Sequence, residues 1–472
     1  MRKMFKKVLI VGAGMAGEDV YNEIKRSPGL NYEVVGFIDD DVKKLNKKVN
    51  GTRVLGSIRN LKTLLKKYGI DEVIIAIPSA SGERILEYVR ECSEAKVAFR
   101  IVPRVKEIIE GKAQVSTLRK PRVEDLLGRP VVKSDVSELK DFFKGKTVMI
   151  TGAAGSIGSE LSRQVAAYSP KLIIFFDWWE NGLCELQLEL TKLFPGFKAK
   201  FVIGNVQDKG KVESVVKKVK PNYIYHAAAY KHVPAMEDSP EEAVKNNVFG
   251  TLVMATAAKK YKVEKFVIVS TDKAAHPKNV MGATKLITEA IGRKMNSKKG
   301  TKFMAVRFGN VLGSHGSVVP IFERQIQEGG PLTVTDKRMT RYFMTIPEAA
   351  QLILKAASMG KGGELFVLDM GTPIKIIELA ENMIRLHGIV PYKDIEIVFT
   401  GIRKGEKLHE KLINSREKLL ATREKRIFMT ESLGFKMTKL SGVLRLLKSD
   451  VVTNKPLKIR RHLRELIPTL SK

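Results

Sequence analysis

Cysteine is nearly absent from this chain: Cys92 and Cys184 are its 2 cysteines among 472 residues. Each stands without a nearby cysteine or histidine pair, which argues against a disulfide framework and against a structural zinc site. We therefore expect no metal, and a reducing cytoplasm fits this composition.

Long apolar runs are also missing. No window approaches the roughly 18 to 20 apolar residues needed to cross a bilayer. The start of the chain, MRKMFKKVLIVGAG, leads directly into a glycine motif and not through a signal peptide. The sequence therefore predicts a chain that neither spans a membrane nor is secreted.

Acidic residues are few beside the basic ones. Lys and Arg total 83 against 51 Asp and Glu, a net charge of +32, so nucleotide diphosphates, nucleic acid and an acidic membrane face are all plausible partners. A lysine-rich surface is also typical of heat-adapted proteins. Because the charge is spread along the chain and no nucleic-acid module is recognisable, we expect no nucleic acid partner.

The chain opens with a Rossmann motif, and its length suits two or three domains. KKVLIVGAGMAGEDV combines an apolar strand, the spacing Gly12-x-Gly14-x-x-Gly17 and an amphipathic helix. The following strand, EVVGFIDDD, carries Asp39 at its end, where a ribose diol would be held. These residues predict an accessory nucleotide site. A purely structural or regulatory role is the alternative.

The strand and helix alternation stops near Val115, and residues 116–145 predict a connector with prolines, mixed charge and one short helical run. We expect domains at 1–115 and 146–430, and a basic C-terminal tail at 431–472. From Leu433 onward this tail has 10 Lys and Arg against 2 acidic residues, with hydrophobic residues spaced as in short helices. A solvated appendage is the favoured interpretation, and contact with an anionic membrane is the alternative.

A second Rossmann motif opens the larger domain. KTVMITGAAGSIGSELSRQV contains Gly152-x-x-Gly155-x-x-Gly158, and the helix beginning near Ile157 offers free N–H groups to a pyrophosphate. The next strand ends at Asp177, whose carboxylate would accept hydrogen bonds from the adenosine ribose. No arginine follows to bind a 2′-phosphate, so NAD is the predicted cofactor.

The stretch VSTDKAAHPKNVMGATK carries the chemistry. The preceding run VEKFVIV predicts a buried parallel strand, so Thr271, Asp272 and Lys273 should emerge at its carboxyl end, where open α/β sheets hold ligands. Met281 and Lys285 are four residues apart and share one face of the next helix. A solvated strand end with an Asp-Lys ion pair is the alternative interpretation.

These residues resemble those of the extended short-chain dehydrogenases, which place Ser or Thr at this strand end and Tyr-x-x-x-Lys on the next helix. Thr-Asp-Lys with Met-x-x-x-Lys resembles the CapD-like nucleotide-sugar 4,6-dehydratases of bacterial polysaccharide pathways, especially the large members that act on UDP-N-acetylglucosamine. The resemblance runs from Val8 to about Thr430. It implies an α/β fold with two Rossmann-like, doubly wound parallel sheets, the second followed by a smaller substrate-binding part.

The resemblance also implies a role for each candidate catalytic residue. Thr271 would bond the sugar's C4 hydroxyl, and Lys285 would hold the nicotinamide ribose. Lys273 would remove the C5 proton, which requires burial to lower its pKa, and Asp272 would protonate the departing C6 hydroxyl. Met281 stands where most relatives have the tyrosine base, so Thr271, a water and Lys285 would share that relay. An inactive binding domain is the alternative.

The resemblance extends to the cofactor pocket. Asn205 stands where relatives have an aspartate that meets the adenine amino group, and its amide oxygen can accept the same bond. Small side chains after the fourth strand would let the dinucleotide lie near the backbone. The predicted cofactor residues are Gly152, Gly155, Ser156, Ile157, Gly158, Asp177, Asn205, Val206, Ala227, Ala228, Ala229 and Lys285.

The C-terminal half is implied to bind the nucleotide sugar. Asn310 resembles a position that meets substrate phosphate or sugar. Arg341 and Arg403 would clamp the UDP diphosphate, and Glu406 would accept a hydrogen bond from the uridine ribose. Lys231 completes the predicted substrate residues.

Together these features predict a cytoplasmic, NAD-dependent UDP-N-acetylglucosamine 4,6-dehydratase that retains the C5 configuration. A C5-inverting dehydratase, an epimerase of the same superfamily, or a non-catalytic NAD-responsive scaffold at a membrane are the alternatives. The resemblance implies a homo-oligomer. Large members carry transmembrane helices ahead of this point, so we expect either a soluble short form or a piece without its anchor, at most touching the inner membrane face.

Overall fold

The structure, a computed structural model, describes residues 5–103, 118–126, 136–430 and 437–470. The chain forms two compact units. The first comprises Met1–Pro130, Val318–Lys337 and Ile376–Thr400, and the second comprises Val131–Ser317, Arg338–Lys375 and Gly401–Lys472. Parts of the predicted connector and tail lie outside the described residues, namely 116, 117, 127–135, 431–436, 471 and 472.

The first unit contains a six-stranded sheet. Its N-terminal elements are β1 (Lys6–Val11), α1 (Met15–Arg26), β2 (Tyr32–Ile38), β3 (Lys48–Val49), β4 (Thr52–Gly56), α2 (Leu61–Tyr68), β5 (Glu72–Ile75), α3 (Gly82–Glu94), β6 (Ala98–Ile101) and α4 (Val123–Leu126). The strand order is β3-β4-β2-β1-β5-β6. Pairing is parallel from β4 to β6, and β3 is antiparallel to β4.

Burial explains why β1 lies in the middle of this sheet. Val8, Leu9, Ile10 and Val11 are all 0% exposed, as expected for a parallel strand that is covered on both faces. The chain reverses its direction of winding after β4, so the ends of β1 and β5 form the switch point at which such sheets hold ligands. The predicted Rossmann unit is therefore present.

The second unit begins with a larger set of alternating elements. They are α5 (Val136–Phe143), β7 (Thr147–Thr151), α6 (Ser156–Ala167), β8 (Leu172–Asp177), α7 (Glu180–Leu193), β9 (Ala199–Ile203), α8 (Lys209–Val219), β10 (Tyr223–His226), α9 (Val233–Asp238), α10 (Pro240–Ala243), a π-helix (Val244–Gly250), α11 (Thr251–Lys260), β11 (Lys265–Val269), α12 (Val280–Met295), β12 (Lys302–Arg307) and β13 (Asn310–Val311).

The remaining elements are divided between the units. They are α13 (Val318–Gln327), β14 (Leu332–Val334), β15 (Thr340–Arg341), β16 (Phe343–Met344), α14 (Ile346–Met359), β17 (Leu365–Leu368), β18 (Ile374–Lys375), α15 (Ile376–Leu386), β19 (Ile397–Phe399), β20 (Leu420–Ala421), β21 (Ile427–Thr430), α16 (Leu440–Val452) and α17 (Pro456–Leu466). Of these, α13, β14, α15 and β19 belong to the first unit and the others to the second.

The main sheet of the second unit has nine strands in the order β20-β21-β17-β12-β11-β10-β7-β8-β9. Seven of them, from β17 to β9, pair in parallel, and β21 and β20 add an antiparallel edge. Alternate residues face opposite layers: Met149 packs with α8, α11 and α12, whereas Val148 and Ile150 pack with α5, α6, α7 and α14. The predicted α/β class with two Rossmann-like parallel sheets is thus confirmed.

The C-terminal segment corrects one expectation. The predicted solvated appendage is wrong for residues 440–470, because α16 and α17 join the core of the second unit. Leu440, Leu447, Ile459 and Leu463 are each 0% exposed. The helical spacing of these residues creates an apolar stripe that must be covered by another part of the protein. The basic residues between them favoured a solvated segment, but they occupy the other face of the helices.

None of the helices in residues 5–103, 118–126, 136–430 and 437–470 combines the length and the apolar character of a membrane span.

Candidate active site

The glycine motif of the second unit forms a tight turn between β7 and α6. Gly152 has φ +66°, and a Cβ at this position would lie 2.6 Å from the backbone nitrogen of Ala228. A Cβ on Gly158 would lie 1.8 Å from the carbonyl oxygen of Gly152. Gly155 precedes the first helical residue, Ser156, without a side-chain cap. The helix therefore presents uncapped N–H groups at this turn, the arrangement that binds a pyrophosphate.

Asp177 ends β8 beside this turn. Its Oδ2 accepts a hydrogen bond from the Ala154 N–H at 2.9 Å, and its Oδ1 accepts one from the Trp179 N–H at 3.0 Å. Each carboxylate oxygen keeps a lone pair for a further donor. The turn thereby fixes the carboxylate at the strand end, where the predicted ribose contact would form.

The other predicted cofactor residues lie on the adjoining strand ends. Asn205 follows β9, and its Oδ1 accepts from the Gln207 N–H at 2.9 Å, so this amide already holds its own turn. Val206 is buried in the core at 4% exposure. Residues 227–229 follow β10, and the backbone of this stretch packs against Gly152. Ile157 lies in the first turn of α6.

His226 is a buried residue beside the predicted cofactor pocket, and it was not among the predicted site residues. Its ring shares hydrogen bonds with the hydroxyls of Thr151 at 2.7 Å and Thr251 at 2.9 Å. Burial, and secondarily the charge of Lys285, lower the pKa of His226 to about 3. A neutral imidazole therefore joins the ends of β7 and β10 to the start of α11. A histidine within the apolar strand YIYH was the available signal.

The predicted catalytic residues meet at the end of β11. The Thr271 hydroxyl donates to Asp272 Oδ1 at 2.9 Å, and Lys273 Nζ lies 3.0 Å from the same oxygen. Lys273 Nζ also donates to Asn310 Oδ1 at 3.0 Å. Asp272 is 0% exposed, and among the described residues its Oδ2 has no hydrogen-bond partner. The site thus combines a hydroxyl, an amine and a buried carboxylate that has one oxygen without a hydrogen-bond partner among the described residues.

Glu410 is a second carboxylate near this amine, and sequence reasoning missed it. Glu410 Oε1 lies 3.9 Å from Lys273 Nζ, while its Oε2 pairs with Lys407 at 2.9 Å. The side chains of Glu410 and Lys407 are only 2% and 8% exposed. Glu410 lies in the string FTGIRKGEKLHEKL, in which only Arg403 and Glu406 were predicted as site residues.

Lys285 and Met281 lie on α12, directly after this cluster. Lys285 is 5% exposed and Met281 is 3% exposed. Burial lowers the pKa of Lys285 to about 8, a shift that nearby Glu289 partly opposes. A Cβ on Gly282 would lie 2.5 Å from the Lys273 carbonyl oxygen. The start of α12 therefore packs closely on the turn at residues 271–274, which is called the catalytic turn below because it carries the predicted catalytic residues.

A buried network of ion pairs joins the ends of β11 and β12 to α12. Arg307 is 0% exposed and bonds both oxygens of Glu289, at 3.1 and 2.7 Å, and both oxygens of Glu417, at 2.8 and 3.2 Å. Ser270 donates to Glu289 at 2.5 Å. Burial raises the pKa of Glu417, against the opposing charge of Arg307. An arginine in the apolar strand KFMAVR was the signal for this network.

The predicted substrate residues are placed differently from one another. Asn310 belongs to the catalytic cluster, and partial burial together with the charge of Lys273 lowers the pKa of Lys231. Arg341 Nη1 donates hydrogen bonds to the carbonyl oxygens of Thr340 at 2.7 Å and Leu408 at 3.1 Å. This guanidinium therefore stabilises the loop that contains Leu408. Arg403 is exposed.

Glu406 is half-buried, and its Oε2 has no hydrogen-bond partner among the described residues. This free acceptor fits the predicted contact with a ribose hydroxyl. No described residues form a group of three or more His, Cys, Asp or Glu side chains that could hold a metal ion.

The first unit repeats the glycine turn by itself. Gly12 has φ +100°, Gly14 precedes α1, and a Cβ on Gly17 would lie 1.9 Å from the Gly12 carbonyl oxygen. Asp39 Oδ2 accepts a hydrogen bond from the Ala13 N–H at 2.8 Å, just as Asp177 Oδ2 accepts one from the Ala154 N–H in the second unit. Here the same oxygen also pairs with Lys44 at 3.0 Å.

Hydrogen bonding sets the charge of this first-unit carboxylate. Burial works to raise the pKa of Asp39, but hydrogen bonds from the Asp41 and Ala13 N–H groups and from Lys44 outweigh it, and the pKa is lowered. Asp39 is therefore an ionised carboxylate with a cation already in place.

Three curated relatives are similar to this chain. A capsular polysaccharide biosynthesis protein CapD from Staphylococcus aureus is 46% identical and covers 87% of this chain and 69% of its own length. A UDP-N-acetylglucosamine 4,6-dehydratase (inverting) from Campylobacter jejuni is 36% identical over 58% of this chain and 79% of its own. A UDP-glucose 4-epimerase from Rickettsia rickettsii is 38% identical over 58% and 80%.

Solved structures show the same fold. Pen from Bacillus thuringiensis is 37% identical with TM-score 0.56, covering 62% of this chain and 89% of its own. DesIV, a dTDP-glucose 4,6-dehydratase from Streptomyces venezuelae with NAD and TYD bound, is 23% identical with TM-score 0.51, covering 57% and 89%. The latter likeness concerns the fold alone.

Two family models match the chain. A CoA-binding domain model matches residues 1–103, and a polysaccharide biosynthesis protein model matches residues 148–432. The second match spans well over half of the chain, and the CapD relative extends it through the first unit. The predicted CapD-like resemblance is confirmed, and the chain belongs to the polysaccharide biosynthesis protein family.

Proposed function

We propose that this protein is an NAD-dependent UDP-N-acetylglucosamine 4,6-dehydratase that yields a UDP-4-keto-6-deoxy sugar with retention at C5. The observation that carries the proposal is the cluster of Thr271, Asp272 and Lys273 at the end of β11, with Asp272 fully buried and one of its oxygens free. Relatives named as a UDP-N-acetylglucosamine 4,6-dehydratase and a UDP-glucose 4-epimerase support nucleotide-sugar chemistry. The paired acid and amine favour the dehydratase, because an epimerase expels no hydroxyl.

The second unit fits NAD by its own geometry. A Cβ would fill the space at Gly152 and Gly158, α6 offers uncapped N–H groups for a pyrophosphate, and Asp177 is fixed where a ribose diol would lie. When bound, NAD would supply a hydride acceptor for C4, which makes the neighbouring C5 proton acidic, and then a hydride donor for C6 after the C6 hydroxyl has left as water. Lys285 and residues 227–229 complete the pocket.

The contact between Asp272 and Lys273 supplies both protonation states that the elimination needs. Their oxygen and nitrogen are 3.0 Å apart, so transfer of one proton from Nζ to the carboxylate leaves a neutral amine and a carboxylic acid. Lys273 can then remove the C5 proton, and Asp272 can protonate the departing C6 hydroxyl.

Thr271 and Lys285 serve the C4 oxygen. The Thr271 hydroxyl can donate to this oxygen as it becomes a ketone, and the Lys285 ammonium stabilises negative charge that develops there. Met281 supplies no proton acceptor at its position on α12, so the proton from the C4 hydroxyl leaves through Thr271 and solvent. Burial lowers the pKa of Lys285 to about 8, so this side chain is still largely charged at neutral pH.

The remaining predicted substrate residues would bind the UDP part of the substrate. Arg403 is exposed and can meet a diphosphate, and Glu406 has a free oxygen for the uridine ribose. Arg341 and Lys231 add positive charge. If Lys273 both removes and returns the C5 proton, the proton comes back to the face that it left and the C5 configuration is retained. A homo-oligomer, a cytoplasmic location and contact with an anionic membrane stay predictions.

Proton NMR of the purified protein with UDP-N-acetylglucosamine in deuterated water tests this proposal. We expect a 4-keto-6-deoxy product with deuterium at C5, and the coupling constants of its reduced derivative should show the retained configuration. Replacing the base in Lys273→Met should lower turnover by about 10² to 10⁴-fold. Lys259→Met, an exposed lysine on α11, is the matched control and should behave as the parent does.

Two results would contradict the proposal. A C4-epimerised sugar that keeps its C6 hydroxyl would show an epimerase. The absence of turnover with added NAD, together with equal substrate binding by the parent and Lys273→Met, would favour a non-catalytic scaffold.

A further inference from the structure

The C-terminal helices lie beyond the residues that the polysaccharide biosynthesis model matches, which end at 432. They nevertheless pack on the helix that carries Lys285. Leu466, Ile467 and Leu470 belong to the same buried cluster as Val280 and Met281. The segment is thus in contact with the start of α12, where the catalytic turn becomes a helix.

Arg460 links α17 to this point through Glu237. Arg460 Nη1 lies 2.6 Å from Glu237 Oε2, and Nη2 donates to the Glu237 carbonyl oxygen. Glu237 Oε1 accepts from the N–H of Val280, the first residue of α12, at 2.7 Å. The Glu237 side chain is 6% exposed and that of Arg460 is 16% exposed, so water competes little for these bonds.

Two further polar contacts join the same parts. The Thr469 hydroxyl donates to the Pro277 carbonyl at 2.9 Å, within the loop between Lys273 and α12. Lys294, near the other end of α12, donates to the Ser441 hydroxyl. The C-terminal segment therefore touches the loop, the first turn and the last turn of α12.

The start of α12 cannot move without disturbing the catalytic turn. Asn279 caps the helix by accepting from the Gly282 N–H at 2.7 Å, and Gly282 packs against the Lys273 carbonyl. A carboxylate at a helix N-terminus also interacts favourably with the helix dipole. Arg460 holds the other oxygen of the same carboxylate, so Glu237 is fixed from both sides.

We propose that α17 is a positioning element for the active site, in which Arg460 holds Glu237 against the Val280 N–H and so fixes the turn between Lys273 and Lys285. Arg460 is not one of the candidate catalytic or binding residues, and it acts through Glu237. The kinetic part of this inference rests on the proposed function. Its structural part, the order of residues 274–285, does not.

Hydrogen–deuterium exchange of the full chain measures that order directly. In Arg460→Met, peptides covering residues 274–285 should exchange about tenfold faster than in the parent, because one charge-assisted hydrogen bond at the helix start is weakened. Arg461→Met is the matched control, since Arg461 lies on the same helix, is 63% exposed and pairs only at 4.0 Å with Glu465. It should leave the exchange of this segment unchanged.

Kinetics give a second, independent readout. Arg460→Met should lower kcat by about tenfold to a hundredfold with KM nearly unchanged, because misplacement of catalytic groups costs this much. Arg460→Lys, which keeps the charge, should recover most of kcat. Glu237→Gln keeps an oxygen for the Val280 N–H and should be milder than Arg460→Met.

Some outcomes would overturn the proposal. These are equal exchange of residues 274–285 in Arg460→Met and Arg461→Met, or faster exchange spread evenly over the whole chain, which would show a general loss of stability. If the parent fails to convert the UDP-sugar, the proposed function fails, and the exchange contrast still decides whether α17 orders this turn.

Discussion

Lys285 shows how burial can lower the pKa of a side chain in the candidate active site. It is 5% exposed within α12, and desolvation lowers the pKa of its ammonium to about 8. Glu289, one turn further along the helix, opposes this shift. The residue is therefore cationic at neutral pH and loses its charge in mildly basic solution, where the role proposed for it at the C4 oxygen would end.

This charge predicts a pH dependence with two signs. Turnover should fall as the pH rises through about 8, because the neutral amine no longer stabilises negative charge at C4. Stability should change in the opposite direction. Between this folded pKa and the ordinary value of about 10.4, the unfolded chain binds more protons, so the Lys285 contribution to the unfolding free energy rises with pH.

Rate and denaturation measurements from pH 6 to 10, at about one-unit steps, check both signs. Lys285→Met should remove the rise in unfolding free energy across this window. Lys285→Arg keeps its charge throughout, so the fall in rate near pH 8 should disappear. A parent rate that stays level above pH 9 would refute the assignment.

The site residues also show what sequence can and cannot reveal at this scale. The order Thr-Asp-Lys at a strand end was sufficient to predict that Thr271, Asp272 and Lys273 share one edge of the sheet. Glu410 lies 137 positions after Lys273 in the sequence, and its approach depends on how the loop after β19 folds back. Sequence spacing carries no information on such long-range contacts.

At the scale of elements, the parallel strands were predictable and the C-terminal helices were not. A central strand such as VLIV or FVIV must be apolar on both faces, and this signal stands out in one sequence. In α16, Arg445 and Lys448 are exposed, whereas Leu440, Val443, Leu447 and Val451 form the buried stripe. Amphipathic helices look alike whether their apolar side meets a core, a membrane or a partner chain, so only the tertiary structure decides.

Adjacent leucines on α16 offer a direct test of this packing. Leu447 is 0% exposed and Leu446 is 45% exposed. Leu447→Ala should lower the unfolding free energy by about 2 to 5 kcal/mol, since it leaves a cavity in the core. Leu446→Ala should change it by about 0.5 kcal/mol or less. Chemical denaturation of both variants distinguishes these values, and equal effects would mean that α16 does not form part of the core.

At the scale of the whole molecule, the chain contains two Rossmann units whose glycine turns are built alike. Each turn needs a glycine with positive φ, Gly12 or Gly152, and each places an N–H against a carboxylate at the end of the second strand. The difference is in what else reaches that carboxylate. Asp39 already holds the Lys44 ammonium, whereas within the part of the chain that the structure describes the Asp177 oxygens accept hydrogen bonds from two backbone N–H groups and from no side chain.

This difference predicts that one NAD binds per chain, in the second unit. Asp177→Ala removes a charged acceptor for the ribose and should weaken NAD binding by about tenfold to a hundredfold. Asp39→Ala, the equivalent change in the first unit, should leave NAD affinity unaltered. Isothermal titration of NAD into the parent and both variants gives affinity and stoichiometry together. Two molecules of NAD per chain, or a loss of affinity in Asp39→Ala, would mean that the first unit also binds the dinucleotide and that Lys44 moves aside to admit it.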